Sequence, residues 1–341
     1  MSKKQKENLT RRKFIKRSSY AITALALPFP IVSFSKFKPM IDKNKFEVII
    51  IGGSYSGLSA GMTLGRALRN VLLIDAGQPC NIQTPHSHNF ITQDGKTPKE
   101  ISSLAKEQVQ EYKTIKFYKG LAINAKKTSN GFEITTQNND TFLTKKVIFA
   151  TGVKDIMPNI KGFSECWGIS VIHCPYCHGY EVKNEKTGIL ANGNIAFHYA
   201  QLISNWTKKL TIFTNGKSTL TEEQTNKIKK HNIPIVEKEI VSLNHKNGSL
   251  KEIIFTDSSV FQLKAIYARP DFKQHCLIPE KLGCELTEQG LLKVDMFQQT
   301  TVENIFACGD NSSPLRAVSL AIATGNIAGS ILNNGLTEEE F

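Results

Sequence analysis

The hydrophobic positions of the chain form short apolar runs that alternate with glycine-rich turns and amphipathic stretches. Residues 46–51 are rich in β-branched side chains and predict a buried strand. A glycine-rich turn at 52–57 follows, and the pattern then predicts a helix over about residues 58–68. A second apolar run at 71–74 ends at Asp75. This order of strand, turn, helix and strand is typical of an α/β fold.

The turn between this strand and helix has the composition of a dinucleotide-binding site. Gly52 permits a tight turn, Gly57 lets helix and strand pack closely, and the helix N-terminus offers amide hydrogens to a pyrophosphate. The small Ser54 stands where the usual pattern has its middle glycine. Asp75, 23 residues after Gly52, is placed to accept hydrogen bonds from an adenosine ribose. The predicted binding residues are Gly52, Gly53, Ser54, Gly57 and Asp75.

Two later apolar runs also end in small or acidic residues. The run at 147–152 ends in Ala-Thr-Gly, and the run at 304–310 ends in Cys-Gly-Asp. A helix is predicted after the second run, over about residues 315–332.

The chain contains an internal repeat. Residues 132–150 have the pattern of strand, polar turn, strand and strand, and residues 251–268 repeat it in one residue fewer. Because each copy follows a strand–turn–helix unit, the sequence predicts an α/β protein with two Rossmann-like domains, each with a small β-meander. The first domain is predicted to be discontinuous, at 43–155 and 270–341, with the second, at 156–269, inserted in it.

Composition and charge exclude several classes of protein. With 341 residues, 40% of them hydrophobic and 21% charged, the chain is globular and long enough for two domains. The net charge of +13 is concentrated near the N-terminus, because residues 1–40 hold ten of the 43 basic residues but one of the 30 acidic residues. The rest carries 33 basic and 29 acidic residues, so we predict no nucleic-acid partner.

Residues 1–42 are predicted to be a targeting segment outside the fold. Arg11 and Arg12 precede a modest apolar stretch at 20–34, which is the pattern of a twin-arginine export signal. The alternative is a basic, disordered tail. The signal predicts an exported protein, periplasmic or tethered to a membrane, whereas the tail is compatible with a cytoplasmic one. No run of about 18 uncharged apolar residues predicts a membrane-spanning helix.

A Cys-x-x-Cys motif carries the candidate chemistry. Cys174 and Cys177 can close a small disulfide ring, and their thiolates can attack disulfides or a flavin. The flanking His173 and His178 can relay protons when neutral. The alternative is half of a zinc site. Since only these two of the seven cysteines are closely spaced, we predict no metal.

The glycine-rich turn, the Ala-Thr-Gly turn and the Phe-Ala-Cys-Gly-Asp strand together resemble the thioredoxin-reductase-like, FAD-dependent pyridine nucleotide-disulfide oxidoreductases. The resemblance covers almost all of residues 45–335. It implies FAD at the first nucleotide site, a homodimer, and a late aspartate, here Asp310, at the ribityl chain or pyrophosphate. The further cofactor contacts that it implies are Asn89, Thr151, Gly152, Gly309, Arg316 and Ala317.

The resemblance also assigns roles to the cysteine pair. It implies that Cys177 lies nearest the flavin and that Cys174 exchanges with substrate. His178 stands where the usual thioredoxin reductase has an aspartate, and the run from Cys174 to Glu181 is similar to a distinct branch of the family. That branch includes the dithiol oxidases of gliotoxin- and holomycin-type metabolites. In such an enzyme His178 is the natural base for a thiol.

The second nucleotide turn departs from the family pattern. Ala191 replaces its first glycine, although Gly193 remains, and Asn215 lies where reductases place arginines for the NADPH phosphate. We therefore predict an eroded NADP(H) site, the alternative being a cofactor held in an unconventional way.

The predicted function is a dithiol oxidase that uses FAD and either oxygen or another acceptor. Its substrate would be a small-molecule dithiol or a thioredoxin-like protein. The alternatives are an NAD(P)H-dependent reductase of the thioredoxin reductase type and a catalytically inactive flavin-binding relative.

Overall fold

The computed structural model describes residues 44–341, so the predicted export signal lies outside the described residues. Within residues 44–341 the chain forms the predicted α/β fold, with four β-sheets. Across the same residues, no helix combines the length and the apolar character that a membrane span needs.

The first sheet has seven strands and carries the predicted dinucleotide turn. Its strand order is β3-β2-β1-β6-β5-β4, and a last strand, β17, also pairs with β6. The pairs among β1, β2, β3, β6 and β17 are parallel, whereas β4, β5 and β6 form an antiparallel meander. The strands are β1 (Lys45–Ile51), β2 (Val71–Asp75), β3 (Ile115–Lys119), β4 (Ala122–Thr128), β5 (Gly131–Thr136), β6 (Thr141–Phe149) and β17 (Ile305–Ala307).

Helices cover one face of the first sheet, its own meander covers much of the other, and its central strands are buried on both faces. Ile49 packs in one hydrophobic cluster and Ile50 in another, and both are fully buried, as expected for parallel strands between layers. The longer helices that accompany this sheet are α1 (Tyr55–Arg66), α2 (Pro98–Gln110) and α8 (Val318–Glu340).

The second sheet is entirely parallel, with the strand order β11-β10-β9-β15-β8. Its strands and their helices are β8 (Val171–Ile172), β9 (Thr187–Leu190), α5 (Gly193–Ile203), β10 (Leu210–Phe213), α6 (Glu222–Lys230), β11 (Ile235–Val236) and β15 (Ala265–Ala268). An antiparallel meander lies beside it, formed by β12 (Ile240–Lys246), β13 (Ser249–Phe255) and β14 (Val260–Gln262).

Two short strands connect the two halves of the molecule. The chain leaves the first sheet through β7 (Val153–Asp155) and returns through β16 (Phe272–Gln274), which pairs with β7 in antiparallel fashion. Both the second sheet and its meander come from the residues between these strands, so the second Rossmann-like unit is inserted in the first. The boundaries at 155/156 and 269/270 stay predictions. The remaining short helices are α3 (Phe163–Cys166), α4 (Pro175–His178) and α7 (Ile278–Lys281).

The two copies of the internal repeat differ in one respect. In the first copy the last two predicted strands run together as β6, whereas in the second copy they separate into β14 and β15. The break occurs because the backbone changes sheets there. Leu263 N–H donates to Lys251 O in the meander, and the next amide, that of Lys264, donates to Lys186 O beside the parallel sheet.

The last helix differs from its prediction at both ends. It begins at Val318 rather than near Leu315, and it continues to Glu340 rather than ending near Leu332. Contacts that are distant in sequence hold the extra turns. Leu336 is fully buried, and Arg69 donates to both Asn333 Oδ1 and Glu340 Oε2, at 2.8 and 2.7 Å.

Helix α8 packs so closely on α1 that a side chain is excluded at the crossing. A Cβ atom built on Gly325 would overlap the backbone carbonyl of Ser56 in α1. Gly335, in the same helix, has only the Lys146 side chain within 4 Å of such an atom. We expect Gly325→Ala to lower the free energy of unfolding by about 1–3 kcal/mol through overpacking. Gly335→Ala should instead raise it by about 0.5–1 kcal/mol, because alanine favours helix.

Urea unfolding of the two variants beside the unmodified protein measures this difference. Since both substitutions make the same chemical change in the same helix, equal effects on the unfolding midpoint would contradict the packing argument.

Candidate active site

A cavity of about 1130 Å³ opens at the carboxyl ends of β1, β2 and β6. Strand β1 has β2 on one side and β6 on the other, and α/β sheets bind ligands at such a point. The cavity is lined by the β1–α1 turn, the loop after β2, the turn after β6, the start of α8 and the Cys-x-x-Cys segment. The structure therefore brings the predicted dinucleotide site and the predicted redox pair into one cavity.

The β1–α1 turn fits a ligand that must approach backbone closely. Gly52 has a φ of +108°, and a Cβ atom there would overlap the carbonyl oxygen of Ala150. A Cβ atom on Gly53 would lie 2.7 Å from the Asp75 side chain, and the Gly53 N–H donates to Asp75 Oδ1 at 3.1 Å. This contact holds the carboxylate of Asp75 on the cavity wall, where the sequence predicts an acceptor for an adenosine ribose.

The N-terminus of α1 is open toward the same cavity. Ser54 is the N-cap and lines the cavity, but its side chain makes no hydrogen bond to the amides of the first helical turn. The first amide groups of a helix attract anions, and a pyrophosphate supplies the missing acceptors. The glycine cradle and this open helix end fit the diphosphate of a dinucleotide such as FAD.

Gly57 and Gly309 lie just outside the lining, although the sequence analysis places them among the cofactor-binding residues. A Cβ atom on Gly57 would overlap the carbonyl of Gly52, and one on Gly309 would lie 2.6 Å from Ser56 Oγ. The two glycines allow the turns that form the cavity to meet.

A buried ion-pair group lies on the cavity wall. Arg316 Nη1 and Nη2 contact the two carboxylate oxygens of Asp155 at 2.6 and 3.1 Å, and Arg316 Nε lies 3.4 Å from Asp310 Oδ2. Burial raises the pKa of Asp310, while the positive charge of Arg316 lowers it. The sequence analysis singled out Arg316 and Asp310 but missed Asp155, whose one signal is its position at the end of β7.

The remaining predicted cofactor contacts also line the cavity. Asn89 adopts a φ of +58° and its N–H donates to Asp94 Oδ1 at 2.7 Å, while Gly152 has a φ of +62°. Ala317, the extended N-cap of α8, lies on the wall with Thr151.

Asn311, which the sequence analysis did not single out, ties two of the cavity turns together. Its Nδ2 donates to Phe149 O at 2.9 Å and to Thr151 Oγ1 at 3.2 Å. The side chain therefore connects the turn after β17 to the turn after β6, and its only sequence signal is that it follows Asp310.

The redox pair lies at the start of the short helix α4. Cys174 and Cys177 form a disulfide, both are half-buried, and both line the cavity. Cys174 is the N-cap, and its sulfur accepts the Cys177 N–H at 3.2 Å, a bond that would also stabilise a thiolate. Pro175 occupies the first turn, where its fixed φ favours the helix start.

The two histidines that flank the pair are held in their neutral form. Burial, followed by repulsion from Arg316, lowers the pKa of His173 to about 4. Burial and repulsion from His88 lower the pKa of His178, against attraction from Glu181. At neutral pH both rings are therefore available as proton acceptors. His178 adjoins Cys177 in the chain and lines the same cavity.

The chain can now be placed in a family, because residues 46–325 match the model for pyridine nucleotide-disulphide oxidoreductases. The chain belongs to this family. It is 32% identical to thioredoxin reductase tcpT from Claviceps purpurea, over 87% of this chain and 96% of that protein. As a family member it is an enzyme of thiol–disulfide redox chemistry.

Solved structures agree with this placement. The putative thioredoxin reductase TrxB from Bacillus anthracis superposes with a TM-score of 0.83 at 31% identity, covering 87% of this chain and all of that one. An oxidoreductase from Agrobacterium tumefaciens gives a TM-score of 0.81 at 36% identity, with 86% and 99% coverage.

In the second sheet, the turn between β9 and α5 corresponds to the β1–α1 turn. Hydrogen bonds of a side chain of the protein hold this second turn. Asn192 Oδ1 accepts from Gly193 N at 2.9 Å and from Thr219 N at 2.8 Å, and its Nδ2 donates to Lys217 O at 2.9 Å. One asparagine thus accepts the first amide of α5 and holds the 217–219 loop beside the helix N-terminus. The sequence analysis noted Ala191 at this turn but missed Asn192.

The loop after β10 is also held by side-chain hydrogen bonds. Asn215 Oδ1 accepts from Ile240 N at 2.7 Å, and Glu237 Oε1 accepts from Ser218 N at 3.0 Å. The loop that would receive a nucleotide phosphate is therefore held by a carboxylate, whose negative charge opposes a phosphate.

The lowered pKa of His173 makes stability depend on pH. Because the unfolded ring protonates near pH 6.5 and the folded ring only near pH 4, stability is present above pH 6.5 and is lost as the pH falls toward 4. Between pH 7 and pH 5 this group should contribute a loss of about 2 kcal/mol. His173→Asn should remove that part of the loss in urea unfolding. The exposed His198, changed to Asn, is the control and should retain it.

Proposed function

We propose that this enzyme oxidises dithiols to disulfides through Cys174, Cys177 and bound FAD, and that NADPH is not its electron partner. The observation that carries the proposal is the contrast between its two nucleotide turns. The turn at Gly52 is open toward the redox cavity, whereas at the second turn the Asn192 side chain accepts the first helix amide and holds the 217–219 loop.

The residues around the first turn are proposed to hold FAD. Gly52, Gly53 and the open N-terminus of α1 would hold its diphosphate, and Asp75 its adenosine ribose. Asp310 would accept hydrogen bonds from the ribityl chain or the pyrophosphate. When bound, the flavin supplies an acceptor for the electron pair that the protein dithiol carries and passes that pair to oxygen or another oxidant.

The protein's own residues perform the thiol steps. His178 accepts the proton of a substrate thiol, and the resulting thiolate attacks Cys174 Sγ. The Cys174–Cys177 bond breaks, and its electron pair remains on Cys177. The second substrate thiolate then attacks the sulfur that is bonded to Cys174, so that Cys174 leaves and the substrate disulfide closes.

An NADPH-driven disulfide reductase is the second candidate, because relatives such as tcpT carry the name thioredoxin reductase. The exported location predicted from Arg11 and Arg12 favours the oxidase, since disulfides form outside the cytoplasm. We extend the proposal to export by that signal and to a homodimeric enzyme that acts on a small-molecule or thioredoxin-like dithiol.

An anaerobic titration of the flavin absorbance tests the direction of electron flow. A dithiol such as dithiothreitol should bleach the main visible band and air should restore it, with hydrogen peroxide formed if oxygen is the acceptor. NADPH at micromolar concentration should leave the band unchanged. Rapid bleaching by NADPH together with a weak response to dithiols would establish the reductase instead. A colourless protein that cannot be reconstituted with FAD would exclude both.

Single cysteine variants separate the roles within the pair. In Cys174→Ser, a Cys177 thiolate beside the flavin should produce long-wavelength charge-transfer absorbance. Cys177→Ser should lack it and should retain a thiol that reacts with added disulfides. Spectra and thiol labelling of both variants distinguish the two assignments, and charge-transfer absorbance in Cys177→Ser alone would reverse them.

A further inference from the structure

His88 lies on the cavity wall between two carboxylates from different parts of the chain. Its Nδ1 is 3.6 Å from Asp94 Oδ2, in the same loop after β2, and its Nε2 is 3.5 Å from Glu181 Oε1, three residues beyond α4. The His88 side chain is 20% exposed, while those of Asp94 and Glu181 are 63% and 41% exposed. The imidazole therefore connects the redox cavity with carboxylates that reach solvent.

The same imidazole lies next to the base of the redox pair. The rings of His88 and His178 pack edge to face, with their centroids 6.3 Å apart. Both rings line the cavity that holds Cys174 and Cys177. His86 also lies near, 6.4 Å from His88 between centroids, but it is exposed and its Nδ1 contacts Gly95 O at 2.9 Å.

The stoichiometry of the reaction calls for more than one proton acceptor. Conversion of a dithiol to a disulfide transfers two electrons to the Cys174–Cys177 bond and releases two protons from the substrate thiols. A neutral imidazole accepts one proton, so His178 must lose its first proton before the second thiolate can form, and if Cys177 is to stay a thiolate toward the flavin, another group must take that proton.

We propose that His88 is the second proton acceptor of the redox site, taking the proton from His178 and passing it to solvent beside Asp94 and Glu181. The inference rests on the proposed dithiol chemistry but not on its direction, because a reductase would move the same two protons inward. His88 acts through His178, so it is a positioning and relay residue rather than a catalytic one.

The charges around His88 favour this order of transfer. The groups that face it are Asp94, Glu181, His178 and His86. Two carboxylates lie within 3.6 Å of the His88 ring nitrogens, whereas burial disfavours a charge on His178. Transfer from His178 to His88 therefore moves the proton toward the two carboxylates and solvent.

Single-turnover reduction of the FAD-loaded enzyme by dithiothreitol tests the proposal. The reaction is quenched by alkylation, and intact mass separates the disulfide, the mixed disulfide and the fully reduced protein. In His88→Asn the mixed disulfide should form at the unmodified rate but resolve at least about 10-fold more slowly, so that it accumulates. His178→Ala should slow its formation. His86→Asn, the matched control, should behave as the unmodified protein.

The pH profile of the resolving step separates a relay from a merely structural role. Glu181→Gln removes a negative charge beside both His88 and His178, so a proton on this pair is less stabilised and the acid limb of the profile should move to lower pH. Since Glu181 also acts on His178, the shift should shrink when Glu181→Gln is combined with His88→Asn. If the acid limb of the pH profile does not move in Glu181→Gln, the proposal is overturned. This test stands even if His88→Asn loses its flavin and cannot be measured.

The remaining outcomes distinguish the two proposals. Resolution at the unmodified rate in His88→Asn, with His178→Ala still slow, would exclude His88 and leave the dithiol function intact. An unmodified enzyme whose disulfide dithiothreitol does not reduce would fail the proposed function and the relay together.

Discussion

The close approach of the β1–α1 turn to the end of β6 is the constraint on which the rest of the site depends. Because a side chain on Gly52 would overlap the carbonyl of Ala150, the two turns can meet only if this position has no Cβ atom. Their meeting brings the carboxyl ends of parallel strands to one cavity. Strand β7 leaves from that point, so the insertion that carries the cysteines begins beside the predicted flavin site. The fold and the redox site therefore both require that Gly52 has no side chain.

The features that sequence reasoning predicted are those whose cause lies within a short segment. The alternation of apolar runs and glycine turns placed β1, β2 and β17, and the Cys-x-x-Cys spacing identified the redox pair. Features that depend on distant partners were missed or misplaced. The last turns of α8 are stabilised through Arg69, more than 260 residues away, and Asp155 has its role only because the fold places Arg316 against it.

Two corresponding strand–helix turns in this chain differ in what their N-cap side chains bind. Ser54 and Asn192 are both N-caps in extended conformation, each between a parallel strand and the helix that follows it. The serine side chain leaves its helix amides open, while the longer asparagine reaches both its own helix and the neighbouring loop. A sequence pattern treats both residues as small and polar, and only the hydrogen-bond distances in the structure distinguish their effects.

The cap that closes the second turn also has an evolutionary consequence. Asn192 stabilises α5 as an N-cap, a contribution of about 1 kcal/mol for such residues, and anchors the loop at Lys217 and Thr219. A lineage that placed glycine at this position would lose both contacts before any nucleotide could compensate with binding energy. Selection for stability alone is therefore enough to retain this asparagine and the contacts that it makes.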